Sequence, residues 1–149
     1  MSRAVPSIVV ALLVLGSSPA AAGSEQLPYR DVAHQSRGGD GFKWRAYATN
    51  RSELRSAWKR FHMRGDLPRI GFEHRVAILA GTGGSSSCPP DLAGLRLHRE
   101  ERRIVVRIDT GSSGPGACTD DFWRQTWVVS VRRSDVPRGD LAVRVYRAN

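Results

Sequence analysis

The sequence predicts an α+β chain that is mainly β. The expected form is an antiparallel sheet, sandwich or partial barrel of about six strands with one packed N-terminal helix. Three observations carry that reading. Val76–Ala80 is an unbroken apolar run of strand length. Ile104, Val106 and Ile108 recur with period 2, as on one face of a strand. Leu54, Trp58 and Phe61 are spaced i, i+4 and i+7, which places them on one face of a helix.

The elements follow in order. Met1-Ser2-Arg3 precedes the apolar run Ile8–Leu15, which Gly16–Pro19 breaks before Ala20-Ala21-Ala22. This is the layout of a secretory signal peptide over residues 1–22, with cleavage expected after Ala22. The run is shorter than the roughly 20 apolar residues that span a bilayer. No cysteine follows it to carry a lipid, and no second run follows, so no membrane span is expected. The expected location is secreted or extracytoplasmic.

Residues 23–41 are polar and end in Ser36-Arg37-Gly38-Gly39-Asp40-Gly41, which reads as a flexible N-terminal extension. Residues 42–149 read as a single mainly-β domain. In it, Phe42, Trp44, Ala46 and Ala48 alternate with Lys43, Arg45 and Tyr47, a half-buried strand. Asn50, with Glu53 three residues on, marks a helix N-cap and its reciprocal acid. Gly65 and Pro68 end the helix. The apolar run Val76–Ala80 reads as a central strand. Leu95 and Leu97, the charged turn Arg99–Arg102, and Ile104–Ile108 make a hairpin. Trp127, Val129 and Val131 form another strand face, and Leu141, Val143 and Val145 the last.

The chain has 149 residues and a formal net charge of +9. Lys43 and Lys59 are its only lysines among 23 basic residues, so the excess is almost all arginine. The arginines are spread along the chain, with no cluster interleaved with aromatics. With export, that argues against a nucleic-acid partner. Unspecific attraction to anionic envelope polymers is expected instead.

Cys88 and Cys118 are the only cysteines. An isolated pair in an exported chain points to a disulfide. Closing a loop of about 30 residues stabilises by roughly 3–4 kcal/mol through the entropy of the unfolded chain. A catalytic thiol would need a base, and His34, His62, His74 and His98 show no recognisable pairing with either cysteine. There is no zinc-ligand spacing either. Neither a cofactor nor a metal is expected.

Ile108-Asp109-Thr110-Gly111-Ser112 resembles the turn that carries an aspartic protease carboxylate. That chemistry needs two carboxylates sharing a proton. The chain has no second Asp-Thr/Ser-Gly, and Gly111–Gly116 is turn chemistry. Asp109 therefore reads as the start of a turn, pointing outward with Arg107. A hydrolase using Asp109 is the rival functional reading. Gly81-Thr82-Gly83-Gly84 has no helix after it to form a phosphate cradle, so it reads as a loop between strands. Arg-Gly-Asp occurs at 64–66 and 138–140, both where turns are needed. Asp120 and Asp121 would face opposite ways on a strand and make poor acid/base partners.

Residues 67–137 follow a recognisable order. Leu67-Pro68 and Phe72 precede the strand Val76–Ala80. A Thr-Gly-Gly turn, a hairpin over 95–108 and a final strand over 127–137 come next. This order resembles the C-terminal domain of the protease complex subunit PrcB family, in a two-cysteine version like small exported actinobacterial proteins of unknown function. Ser85 stands where the family usually has an aromatic residue. The resemblance implies a non-enzymatic protein-binding or accessory module, possessing no catalytic residues, that assists an exported protease. The expected partner is an exported protein or an envelope component. The candidate binding surface is Gly83, Gly84, Ser85, Phe122 and Trp123, on loops 81–91 and 109–124 joined by the disulfide. Phe122 and Trp123 are neighbours, so on a strand one would be buried and the other exposed; alternatively, both cover the edge of the core.

Overall fold

The computed structural model describes residues 23–38, 44–110 and 117–148. The signal-peptide reading of 1–22, Phe42 and the turn at 111–116 lie outside the described residues. Among the described residues, eight strands and one α-helix follow in the order β1 (Glu25–Gln26), β2 (Tyr29–Gly38), β3 (Trp44–Ala48), α1 (Arg51–Arg60), β4 (Arg75–Gly84), β5 (Asp91–His98), β6 (Arg103–Asp109), β7 (Trp123–Arg132) and β8 (Ala142–Ala148). They form two four-stranded sheets, ordered β1-β5-β6-β8 and β2-β7-β4-β3. The fold is the mainly-β sandwich that the sequence predicts, with two strands more than expected.

The two sheets bury their facing sides against one another. Leu95 and Leu97 of β5, Ile104, Val106 and Ile108 of β6, and Val143 of β8 meet Val76, Ile78 and Ala80 of β4 and Trp127, Val129 and Val131 of β7. The second sheet also buries its other side. Ala77 and Leu79 of β4 and Val128 of β7 pack under Leu54, Ala57, Trp58 and Phe61. This explains the unbroken apolar run in β4, which is buried on both faces, whereas β6 alternates because only one of its faces is covered.

The helix begins as its sequence dictates. The Asn50 side chain accepts from the Glu53 amide at 2.9 Å. The Glu53 carboxylate reaches one residue further back than a capping box requires, accepting from the amide of Thr49 at 2.7 Å and its hydroxyl at 3.0 Å. The Thr49 amide bond chiefly holds the Glu53 carboxyl below its ordinary range. The helix stops at Arg60, with Phe61 as its C-cap.

Three expectations are corrected. Residues 25–38, within the stretch read as a flexible extension, form β1 and β2. Leu27 between them is buried in the inter-sheet core, and β2 pairs with β7 from Tyr29 to Gly38. The signal was weak because β2 lies at the edge of its sheet and is interrupted by an irregularity between Asp31 and Ala33. Gly81–Gly84 is not a loop but the end of β4, in register with Trp123–Thr126 of β7. Not every pair is antiparallel, since β8 runs parallel to β6.

Candidate functional site

The loops after β4 and before β7 meet at one end of the sandwich. Cys88 and Cys118 are joined there, with Cα atoms 5.6 Å apart. A cluster of hydroxyls surrounds the bridge. Ser85 Oγ lies 2.8 Å from Thr119 Oγ1, and the Thr119 amide donates to Ser87 Oγ at 2.8 Å. The Asp121 carboxylate accepts from the Ser86 amide at 3.1 Å and from the hydroxyls of Ser85 and Thr119. Hydrogen bonds from Ser86 and Thr119 hold the Asp121 carboxyl well below the usual carboxylate range. The two loops are thus stapled covalently and through one acceptor. Asp121 anchors this loop rather than pairing with Asp120.

Glycines let aromatic and proline rings close on the end of β4. A Cβ on Gly83 would fall 1.6 Å from Phe122 Cζ, and one on Gly84 would fall 2.4 Å from Pro90 Cδ. Gly83 is therefore buried beneath Phe122, and Gly84 is half-buried against Pro90. These two residues support the surface and do not present it. Ser85 is half-buried within the hydroxyl cluster. Phe122 and Trp123 are exposed, at 47% and 37% of their surface. Being sequence neighbours, they leave the sheet in opposite directions. Phe122 covers Gly83, whereas Trp123 shares the side of β7 that carries Gln125 and Trp127. Both stay accessible because burial along β7 becomes complete only at Gln125.

Beneath them the inter-sheet space ends in a polar layer. Gln125 is buried and bonds both His34 and Ser36 at 2.8 Å. Arg147 turns inward from β8 and donates from Nε to the buried Thr82 hydroxyl at 2.7 Å, and from Nη2 to the Gly83 carbonyl. Each of these buried polar side chains has a partner, so the layer rigidifies the platform below the aromatics. Sequence reasoning missed Arg147 as a support residue. Its only signal was that it continues the inward series Val143, Val145.

The remaining candidates lie apart from this end. Asp109 is exposed at the end of β6, directly across from Asp91 of β5. The structure therefore supplies a neighbouring carboxylate that the sequence did not suggest. It belongs to the outer side of a sheet, and Asp91 Oδ1 already accepts from the Leu92 amide at 2.8 Å. Between β2 and β5 runs a groove of about 530 Å³, lined by Tyr29, Asp31, His34, Asp91 and Trp127. Burial, then the charges of Asp31 and Asp91, raise the Tyr29 hydroxyl above its ordinary value. At the opposite end of β4, a cleft of about 680 Å³ is lined by Tyr47, Glu53, Arg133 and Asp140. Arg133 is committed there to the carbonyls of Thr49 and Phe72. Both Arg-Gly-Asp segments lie in bends between elements, with Gly65 and Gly139 at φ of 77° and 85°, where glycine is favoured. Among the described residues, no group of three or more His, Cys, Asp or Glu is placed to hold a metal ion. Among them, too, no helix is long and apolar enough to cross a membrane.

In comparisons with known proteins, no family model, no curated protein and no solved structure matches the chain. The site must be read from its own geometry.

Proposed function

We propose that the chain is a non-enzymatic binding or accessory module that works outside the cytoplasm, and that its contact surface is the stapled end of the sandwich. The observation that carries this reading is the exposure of Phe122 and Trp123 on a platform fixed by Cys88–Cys118 and the Asp121 cluster. Aromatic side chains at the centre of a contact contribute much of its affinity. Loops already held in place lose less entropy on binding. The likeness of residues 67–137 to the PrcB pattern supports a protein partner, and an exported protease is the first to test. The disulfide and the leader-like N-terminal sequence support an extracytoplasmic location.

The test is capture from the secreted fraction with the wild-type protein and with Trp123→Ala. The proposal expects a defined protein retained by the wild type and lost by the variant. Loss of one aromatic hot spot should weaken binding roughly 30-fold or more, equivalent to about 2 kcal/mol. Identical captured sets would count against the surface. Peptide cleavage by the wild type that Asp109→Asn abolishes would overturn the module reading in favour of a hydrolase.

A further inference from the structure

Among the described residues, no element packs over the outer side of the first sheet, and three strands bring arginines together on it. Register fixes the arrangement. Arg96 of β5 lies opposite Val105 of β6, which lies beside Arg144 of β8. Arg107 of β6 lies beside Tyr146 of β8, and Arg103 lies opposite His98. In sequence Arg144 is distant from Arg96, Arg103 and Arg107. In the sheet, Arg96 and Arg103 are diagonal neighbours on antiparallel strands, about 7–8 Å apart at the backbone, and Arg107 and Arg144 lie diagonally across the parallel pair β6–β8. Tyr146 stands among them with 58% of its surface exposed.

Little on the face neutralises this charge. Arg103 pairs with Glu101, and Arg96 bonds the Ser24 hydroxyl at 3.1 Å. Among the described residues, Arg107 and Arg144 make no salt bridge. The carboxylates sit at the two ends, with Asp91 and Asp109 at one and Glu101 at the other. The basic stripe therefore runs across the strands, between the acidic ends.

We propose that this face binds a linear anionic glycopolymer of the cell envelope, one with sugar or polyol units joined by phosphodiesters. Guanidinium groups spaced across a sheet face suit phosphates repeated along a flexible chain, because each can donate a forked pair of hydrogen bonds. One exposed tyrosine offers an apolar contact for a sugar or polyol face. Surfaces that hold single-stranded nucleic acid generally present several aromatics for successive bases, and this face presents one. The disulfide supports a location outside the cytoplasm, where envelope polymers rather than nucleic acids are resident. This surface is separate from Phe122 and Trp123, so either proposal can fail without the other.

The experiment measures binding of synthetic poly(glycerol phosphate) to the whole protein at low and moderate salt. The expected result is at least tenfold weaker binding for Arg107→Glu/Arg144→Glu. The matched charge change Arg51→Glu/Arg55→Glu, on the exposed side of the helix, should weaken it twofold or less. Trp123→Ala should leave it unchanged. Circular dichroism and thermal melting establish that each variant is folded; Arg107→Gln/Arg144→Gln replaces the double reversal if that variant is not. Equal losses from both charge reversals would reduce the effect to net charge and overturn the site. Single-stranded DNA of matched charge binding as tightly, with the same dependence on Arg107 and Arg144, would overturn the assignment to a glycopolymer. So would the absence of measurable polymer binding.

Discussion

The outer face of the sheet β2-β7-β4-β3 lies under α1, whereas among the described residues no element covers that of β1-β5-β6-β8. Both sheets contribute to one inter-sheet core, yet their sequences diverge accordingly. β4 and β7 are buried along nearly their whole lengths, while β5, β6 and β8 alternate. The covered sheet buries the polar side chains of Thr82, Gln125, Thr126 and Ser130, and each must find a partner inside the protein. The open one can carry arginines at positions where only solvent competes. The difference teaches that stability is concentrated in the helix-covered layer, while the uncovered face and the stapled end are free for recognition.

The largest effect comes from breaking the covered layer. Trp58 is buried with Leu54 and Phe61 against Ala77, Leu79 and Val128. Trp58→Ala should cost about 3–5 kcal/mol in chemical unfolding. A melting curve like that of the wild type would show the helix to be peripheral. The staple comes next. Removing the disulfide with Cys88→Ser/Cys118→Ser should cost roughly 3–4 kcal/mol by releasing the unfolded chain from a loop constraint. Intact mass after alkylation, with and without reduction, should also show both thiols protected in exported protein.

The smallest effect is local and set by pH. The Asp121 carboxyl is held low in the folded chain by Ser86 and Thr119. A depressed acid contributes above its unfolded pKa of about 3.9, and that contribution is lost as pH falls through the folded value. Protection factors of the Ser86 and Thr119 amides should therefore be steady from neutral pH to about pH 4 and fall only below it. Asp121→Ala should lower them already at neutral pH. Loosening that begins near pH 6, or an unaffected variant, would remove Asp121 from its anchoring role.

Much of the covered layer was legible in the sequence. Asn50 announces the cap, Leu54, Trp58 and Phe61 the buried stripe, and Val76–Ala80 a strand buried on two sides. The hairpin of β5 and β6 is equally plain, because each strand has one wet face. The legible parts are those whose neighbours are close in sequence or whose periodicity reports burial directly. The disulfide was legible for another reason, since only two cysteines exist. By contrast, β2 is an edge strand with polar residues along much of its length, so no pattern marked it. Gly81–Gly84 looked like a loop because its glycines make room for Trp44, Phe122 and Pro90, contacts made by distant residues. The parallel pairing of β8 with β6 leaves no trace in periodicity. At the candidate site, the aromatics and the staple were visible, but the burial of Gly83 was not. The arginine stripe was hidden for the same reason as the β6–β8 pairing: its members come from three strands and are gathered only by register.

The difference between the two outer faces is tested most directly by urea unfolding of Leu79→Asp beside Val105→Asp. Leu79 is fully buried under the helix, and Val105 is half-buried on the open face between Arg96 and Arg144. A carboxylate at 79 would lie unpaired in an apolar layer, and that variant should lose about 4 kcal/mol or more, or fail to fold. At 105 the same group meets solvent and two guanidinium groups, and the loss should stay within about 1 kcal/mol. Comparable losses at the two positions would contradict the account.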